Sequence, residues 1–86
     1  MNTMDIVNQY NKAAEKFAAS YGVTNPHIIS IIVSVMMTRD KRGIPGGGFV
    51  TAVVENNLYR AVSSADMECY NHLKVIVAAN QYAYLE

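Results

Sequence analysis

Apolar positions recur at three- and four-residue steps near the start of the chain. Ile6, Val7, Tyr10, Ala13, Ala14, Phe17, Ala18 and Tyr21 fall on one stripe, and Asn8, Asn11, Lys12, Glu15, Lys16 and Ser20 fill the opposite face. That period predicts an amphipathic helix over residues 4–21. Thr3 stands at the capping position, Asp5 in the first turn meets the helix dipole, and Gly22 sits where a left-handed residue closes a helix.

Thr24-Asn25-Pro26 then gives a second entry signal, a capping pair with proline at the first helical position. The run Ile28-Ile29-Ser30-Ile31-Ile32-Val33-Ser34-Val35-Met36-Met37 is rich in β-branched residues and by itself suits a buried strand. The helical entry, and the absence of a second strand-like run to pair with it, favour a helix over 26–38. Such a helix is apolar on nearly every side and has to be covered on nearly every side. Either it is the centre of the bundle or one of its faces meets a second copy of the chain.

The charged loop Thr38-Arg39-Asp40-Lys41-Arg42-Gly43 breaks the period and leads into Ile44-Pro45-Gly46-Gly47-Gly48-Phe49. Beyond it Val50, Val54, Leu58, Ala61, Val62 and Ala65 return to helical spacing, with Phe49 and Val53 beside them, predicting a third helix over 48–62. Ser63-Ser64-Ala65-Asp66 has the serine-then-acid spacing of a capping box and marks a restart. A fourth helix over 65–84 places Met67, Tyr70, Leu73, Ile76, Val77 and Tyr84 inward, with Glu68, Asn71, Lys74 and Gln81 outward. The expectation is an all-α compact bundle of four helices, a single domain over residues 1–86.

Composition narrows the function classes. With 86 residues there is room for one core. Seven basic residues balance seven acidic ones, which argues against nonspecific nucleic-acid binding and equally against an acidic DNA mimic. The single cysteine, Cys69, excludes an internal disulfide and a cysteine-based zinc cluster, and points to a reducing cytoplasm. The N-terminus lacks the basic start and apolar core of a secretion signal, and the ten-residue apolar run is too short for a membrane span of about 20 residues.

Candidate chemistry is sparse. Arg39, Lys41 and Arg42 precede Gly46, Gly47 and Gly48 at a predicted helix start, where bare amides and the dipole favour an anion. The phosphate-loop pattern demands lysine and Ser/Thr after the last glycine, where this chain has Phe49 and Val50. The competing reading is an ordinary helix entry anchored by Phe49. Glu68 and His72 share a helix face four residues apart, which makes a solvated pair and not a metal site. His27 has no ligand partner at helical spacing, and Cys69 reads as a small core residue. No nucleophile, base and orienting group come together, so the chain is not expected to be an enzyme, and no cofactor or metal is implied. Asn56-Asn57 inside a predicted helix is the odd polar feature, because asparagine is a poor helix former. One of the two is expected to be partly buried as a pin, with contact to a partner as the alternative. Six tyrosines suit surfaces that become interfaces, with Tyr59, Tyr82 and Tyr84 the exposed candidates.

The segment Pro45-Gly46-Gly47-Gly48-Phe49-Val50-Thr51-Ala52-Val53-Val54-Glu55-Asn56-Asn57-Leu58, followed by Ala61-Val62 and Ala65-Asp66, resembles a motif of small phage-encoded proteins. That motif runs Pro-Gly-(Gly/Ser)-Phe, two variable positions, Ala-Val-Leu, a variable position, Asn-Asp-Leu, then Ala-Val and Ala-Asp. This chain departs from it with Val54 for leucine, Asn57 for aspartate and Ser64 where arginine is frequent. The resemblance implies a phage origin and an all-helical fold without an established activity. By analogy with small, neutral phage proteins, the expected function is an interaction protein, a homodimer or higher oligomer, that inhibits or modulates a host protein in the host cytoplasm, including a defence system. The alternative is a protein that sequesters a nucleotide or other small anionic ligand at loop 39–48.

Overall fold

The computed structural model describes residues 3–82, and every regular element in that span is helical. In chain order these are α1 (Thr3–Ser20), α2 (Pro26–Arg39), α3 (Gly48–Val54), α4 (Leu58–Ser64), α5 (Met67–Asn71) and α6 (Leu73–Tyr82). Among the described residues none of these helices is long and apolar enough to cross a membrane. The radius of gyration, 11.9 Å, matches the roughly 12 Å of a close-packed chain of this length.

α1 forms where its period places it. Tyr10, Ala14 and Ala18 are buried along its stripe, Ile6, Ala13 and Phe17 pack at the margin, and the Phe17 and Tyr21 rings meet at 5.2 Å. The helix begins one residue earlier than predicted, so Thr3 lies inside it, and the position before it falls outside the described residues. Gly22, at φ 73°, closes the helix: its N–H donates to the Ala19 carbonyl and the Val23 N–H to that of Ala18. This double bond pattern satisfies carbonyls the helix end leaves open.

α2 is the centre. The Asn25 side chain accepts from the N–H groups of His27 and Ile28, and Pro26 occupies the first turn, as the entry signal predicts. Ile28, Ile32, Val35 and Met36 are fully buried, with α1, α3 and α6 packed around them. The cover that the sequence allowed a second copy to supply is therefore furnished within one chain.

The last two predicted helices are each broken, giving six elements where four were expected. The break after α3 comes at Asn56, which adopts φ 59°. Its N–H donates to the Val53 carbonyl and the Asn57 N–H to the Ala52 carbonyl, closing α3 as Gly22 closes α1. Asn57 then caps α4 by accepting from the Arg60 N–H. The pair is thus a turn and a cap, and both side chains are exposed, not buried as a pin. The restart at residue 65 is also displaced. Asp66, not Ser63, is the cap, accepting from the Cys69 N–H at 2.7 Å, and the Ser63 hydroxyl donates back to the Arg60 carbonyl. α5 lasts five residues before His72 interrupts it, and α6 begins at the next residue, Leu73. These breaks turn the expected inward stripe outward at several points: Leu58 is 71% exposed and Met67 72%. Ile76 is buried as expected, and Val75 and Ala79 join it on the buried face of α6.

Three substitutions test the backbone requirements. A Cβ at Gly46 would lie 2.5 Å from Val50 Cγ1 and 2.7 Å from Ser34 Oγ, whereas one at Gly48 meets nothing within 4 Å. Gly46→Ala is expected to destabilise by about 1–3 kcal/mol and Gly48→Ala to stabilise by about 0.4–1 kcal/mol, as read by urea unfolding. Lys41 holds a left-handed conformation at φ 58°, closing α2 through bonds to the Thr38 and Met37 carbonyls from its own N–H and that of Arg42. Lys41→Gly is expected to raise stability by about 1 kcal/mol in the same assay, because it relieves a steric penalty of that order.

Candidate functional site

Three regions of the surface carry the residues of interest: the 39–48 loop, a groove beside the α3–α4 elbow, and a side-chain cluster where α2 and α5 begin.

In the loop, two of the groups expected to receive an anion, the Arg39 guanidinium and the Gly46 N–H, are engaged by the fold. Arg39 Nη1 donates to the carbonyls of Ala79 and Asn80 at 3.1 and 3.3 Å, joining the end of α2 to the last turn of α6. Its Nε donates to Asp40 at 2.9 Å, and the buried Tyr10 hydroxyl donates to the same carboxylate at 2.7 Å. The Gly46 N–H donates to Thr38 Oγ1, and the Gly46 carbonyl accepts from Thr51 Oγ1. Gly47 is the cap residue of the seven-residue α3 and offers no side chain to it. Phe49 packs against the core as the helix anchor. Lys41 and Arg42 remain exposed at the rim with Gly47 and Gly48.

Charge around Asp40 follows from these bonds. The Arg39 guanidinium holds the Asp40 carboxyl below the usual carboxylate range, reinforced by the Tyr10 hydroxyl and opposed by burial. Tyr10 is pushed above its ordinary value, first by burial and then by the carboxylate it bonds.

The groove follows from the break at Asn56. Folding α4 back beside α3, with α6 across the opening, leaves a hollow of about 140 Å³ lined by Ala52, Val53, Asn56, Asn57, Leu58, Ala61, Leu73 and Val77. Its walls are aliphatic and its lip carries two amides. Asn80 on α6 donates from Nδ2 to the Val53 carbonyl at 3.2 Å and fixes the back wall, while Gln81 reaches Asn56 Oδ1 at 3.5 Å across the rim. Arg60 and Glu55 pair at 3.6 Å alongside. Leu58 and Val77 in its wall are exposed, Tyr59 next to Leu58 in α4 is exposed by 82%, and Val62, Met67 and Tyr70 elsewhere on α4 and α5 are exposed as well. Tyr59 is as open as the sequence suggests, while the Tyr82 side chain and Tyr84 lie outside the described residues. A larger depression of about 520 Å³ between α1 and α2 is lined by Asn11, Glu15, Ala19, Val23, Thr24, Pro26, Ile29 and Ser30. Asn11, Glu15, Thr24 and Ser30 are its polar lining residues, and Glu15 is its one ionisable side chain.

The third region was not legible in sequence. His27 Nε2 lies 3.6 Å from Asp66 Oδ2 and 3.7 Å from Glu68 Oε1, and Asn25 Nδ2 donates to Glu68 Oε2 at 3.1 Å. One ligand atom each from His27, Asp66 and Cys69 falls within 4.8 Å of the others. The Asp66 carboxyl is lowered, foremost by the Cys69 N–H it accepts. The buried Cys69 thiol is pushed up to about 11, by burial first and then by its hydrogen bond and proximity to Asp66. His72, expected beside the Glu68 carboxylate, instead sets its Nδ1 against the Glu68 backbone carbonyl at 2.8 Å. About 40 residues of chain separate His27 from its partners, so spacing had nothing to reveal. The only local signal was an aspartate two residues before an acid and three before the cysteine.

Comparison of the chain with family models, curated proteins and solved structures returns no match.

The sign of the Asp40 effect fixes a pH dependence. A carboxyl lowered on folding adds stability that is present above about pH 4 and is lost as pH falls through the folded value. Asp40→Asn is therefore expected to be less stable than the parent at pH 7, with the gap closing below about pH 4. Urea midpoints measured from pH 7 to pH 2.5 check this, and a gap independent of pH would count against the ion pair.

Proposed function

We propose that this protein is a small helical interaction module that binds another protein through the apolar surface around the α3–α4 elbow. The observation that carries this reading is the exposure of Leu58 and Val77, at 71% and 37%, in the wall of the aliphatic groove, with Tyr59 82% exposed next to Leu58 in α4. A single-chain domain with a formed core gains by burying such side chains, and apolar patches left exposed beside polar rims characterise binding surfaces. The hollow, about 140 Å³, is well below the roughly 300–1,000 Å³ of cofactor and small-ligand sites. Its size suits one protruding aliphatic or aromatic side chain of a partner, the arrangement in which binding energy concentrates. Asn56 and Asn57 at the lip supply amides to the partner's backbone, and Arg60, Lys74 and Gln81 form a polar margin.

The partner we infer is a heterologous protein presenting an apolar side chain on a helix or extended segment. The resemblance of residues 45–66 to phage-encoded proteins makes a host protein the expected partner, bound in the host cytoplasm and inhibited by occupation of its surface. A second copy of this chain in the same place is the competing occupant. Sequestration of a small anion at loop 39–48 is less well supported, because Arg39 and the Gly46 amide already serve the fold.

The test is a pair of variants that spare the core, Leu58→Glu and Val77→Glu. Both are expected to keep the parent's helical signal and melting temperature within a few degrees, since each side chain is already exposed by a third or more. Both are also expected to weaken capture of a host protein at least tenfold, whereas Glu15→Lys on the far side leaves it unchanged. A host protein captured equally by all four chains would sink the proposed surface. Concentration-dependent dimerisation in analytical ultracentrifugation, abolished by Leu58→Glu, would assign the surface to a second copy.

A further inference from the structure

We propose that His27, Asp66 and Cys69, with Glu68 completing the set, form a binding site for a divalent transition metal, zinc above all. The donors are one imidazole nitrogen, one thiol and two carboxylates, contributed by the first turn of α2 and by the cap and first turn of α5. In a tetrahedral zinc site with bonds of 2.0–2.3 Å, neighbouring ligand atoms stand roughly 3.3–3.8 Å apart. His27 Nε2 already stands 3.6 Å from Asp66 Oδ2 and 3.7 Å from Glu68 Oε1. The Cys69 sulfur is within 4.8 Å of the His27 and Asp66 atoms, so bringing these three ligands together takes side-chain movements of about 1 Å.

Supporting bonds orient the ligands without consuming the coordinating atoms. Asp66 accepts the Cys69 N–H through Oδ1, which leaves Oδ2 toward His27. Asn25 holds Glu68 by Oε2, which leaves Oε1 toward the same nitrogen. Partners of this kind fix ligand geometry in metal sites. Thiolate and imidazole together select zinc over magnesium or calcium, which prefer oxygen ligands. Coordination displaces the thiol proton to solvent, and the bound divalent cation offsets two of the three negative charges on the carboxylates and thiolate. The expected role is structural. A five-residue helix has too few internal bonds to hold itself, and a metal shared with His27 staples α5 to the start of the central helix.

The experiment titrates Co²⁺ into the reduced full chain. Expected are tetrahedral visible bands, a sulfur-to-cobalt charge-transfer band, one-to-one stoichiometry, displacement by Zn²⁺, and a higher melting temperature with Zn²⁺ bound. Cys69→Ser is expected to lose the charge-transfer band. His27→Gln, at an exposed side chain that leaves the core intact, is expected to weaken Zn²⁺ binding at least about tenfold. Asp66→Asn, which still accepts the Cys69 N–H, is expected to do the same, and His72→Ala to have no effect. The proposal is overturned if folded parent protein shows no charge-transfer band, or if His27→Gln binds Zn²⁺ as tightly as the parent.

Discussion

The rest of the structure depends on the need to cover α2. Its residues are apolar around almost the whole circumference, and Ile28, Ile32, Val35 and Met36 are removed from water entirely. A chain of 86 residues meets that demand with α1, α3 and α6, which leaves little helix for any other purpose. Close approach follows from the same demand. Ser34 on α2 comes so near to Gly46 that only a hydrogen fits there, and Val50 fills the space on the α3 side. The glycine-rich entry is therefore required by shape at one position and is permissive at its neighbours.

The polar groups of the loop serve the same centre. Arg39 spans from the end of α2 to the α6 carbonyls, and Asp40 receives both Arg39 and the buried Tyr10 hydroxyl from α1. Three helices that touch through apolar side chains are thereby also fixed in register by directional bonds. A hydrogen bond to a charged group contributes about 1.5–3 kcal/mol, a sizeable part of the margin available to a small domain. Within a basic loop that resembles an anion site by composition, Arg39 and Asp40 thus act as a clasp.

What α2 does not claim becomes the surface that can act. α4 and α5 are short, lie outside the three-helix cover, and carry the exposed Leu58, Tyr59, Val62, Met67 and Tyr70. The same pair of helices bears the two features to which we assign roles. The elbow at Asn56 opens the apolar groove, and the Asp66 cap brings α5 against His27. A metal at the second would hold α5, the short helix that follows α4, against the start of α2.

Much of this was legible in the residues themselves. The stripe of α1, the Asn25-Pro26 entry, the left-handed Gly22 and the helical nature of the Ile28–Met37 run follow from local rules of period, capping and backbone freedom. Asn56-Asn57 was visible as an anomaly, yet a local rule ranks asparagine as a weak helix former and does not say that the helix ends there. The left-handed turn exists because closing it lets α4 fold back along α3, a gain that only tertiary packing supplies. The same holds for Leu58 and Met67, whose spacing reads as inward until the breaks at Asn56 and His72 rotate each segment away from the core. The His27 cluster lay furthest from view, because its members meet across some forty residues of chain and no periodicity links them. Sequence determined which segments are helical and which helix has to be buried. Tertiary structure decided where those helices break and which side chains the breaks bring together, because both depend on what lies across the core and not on what lies next in the chain.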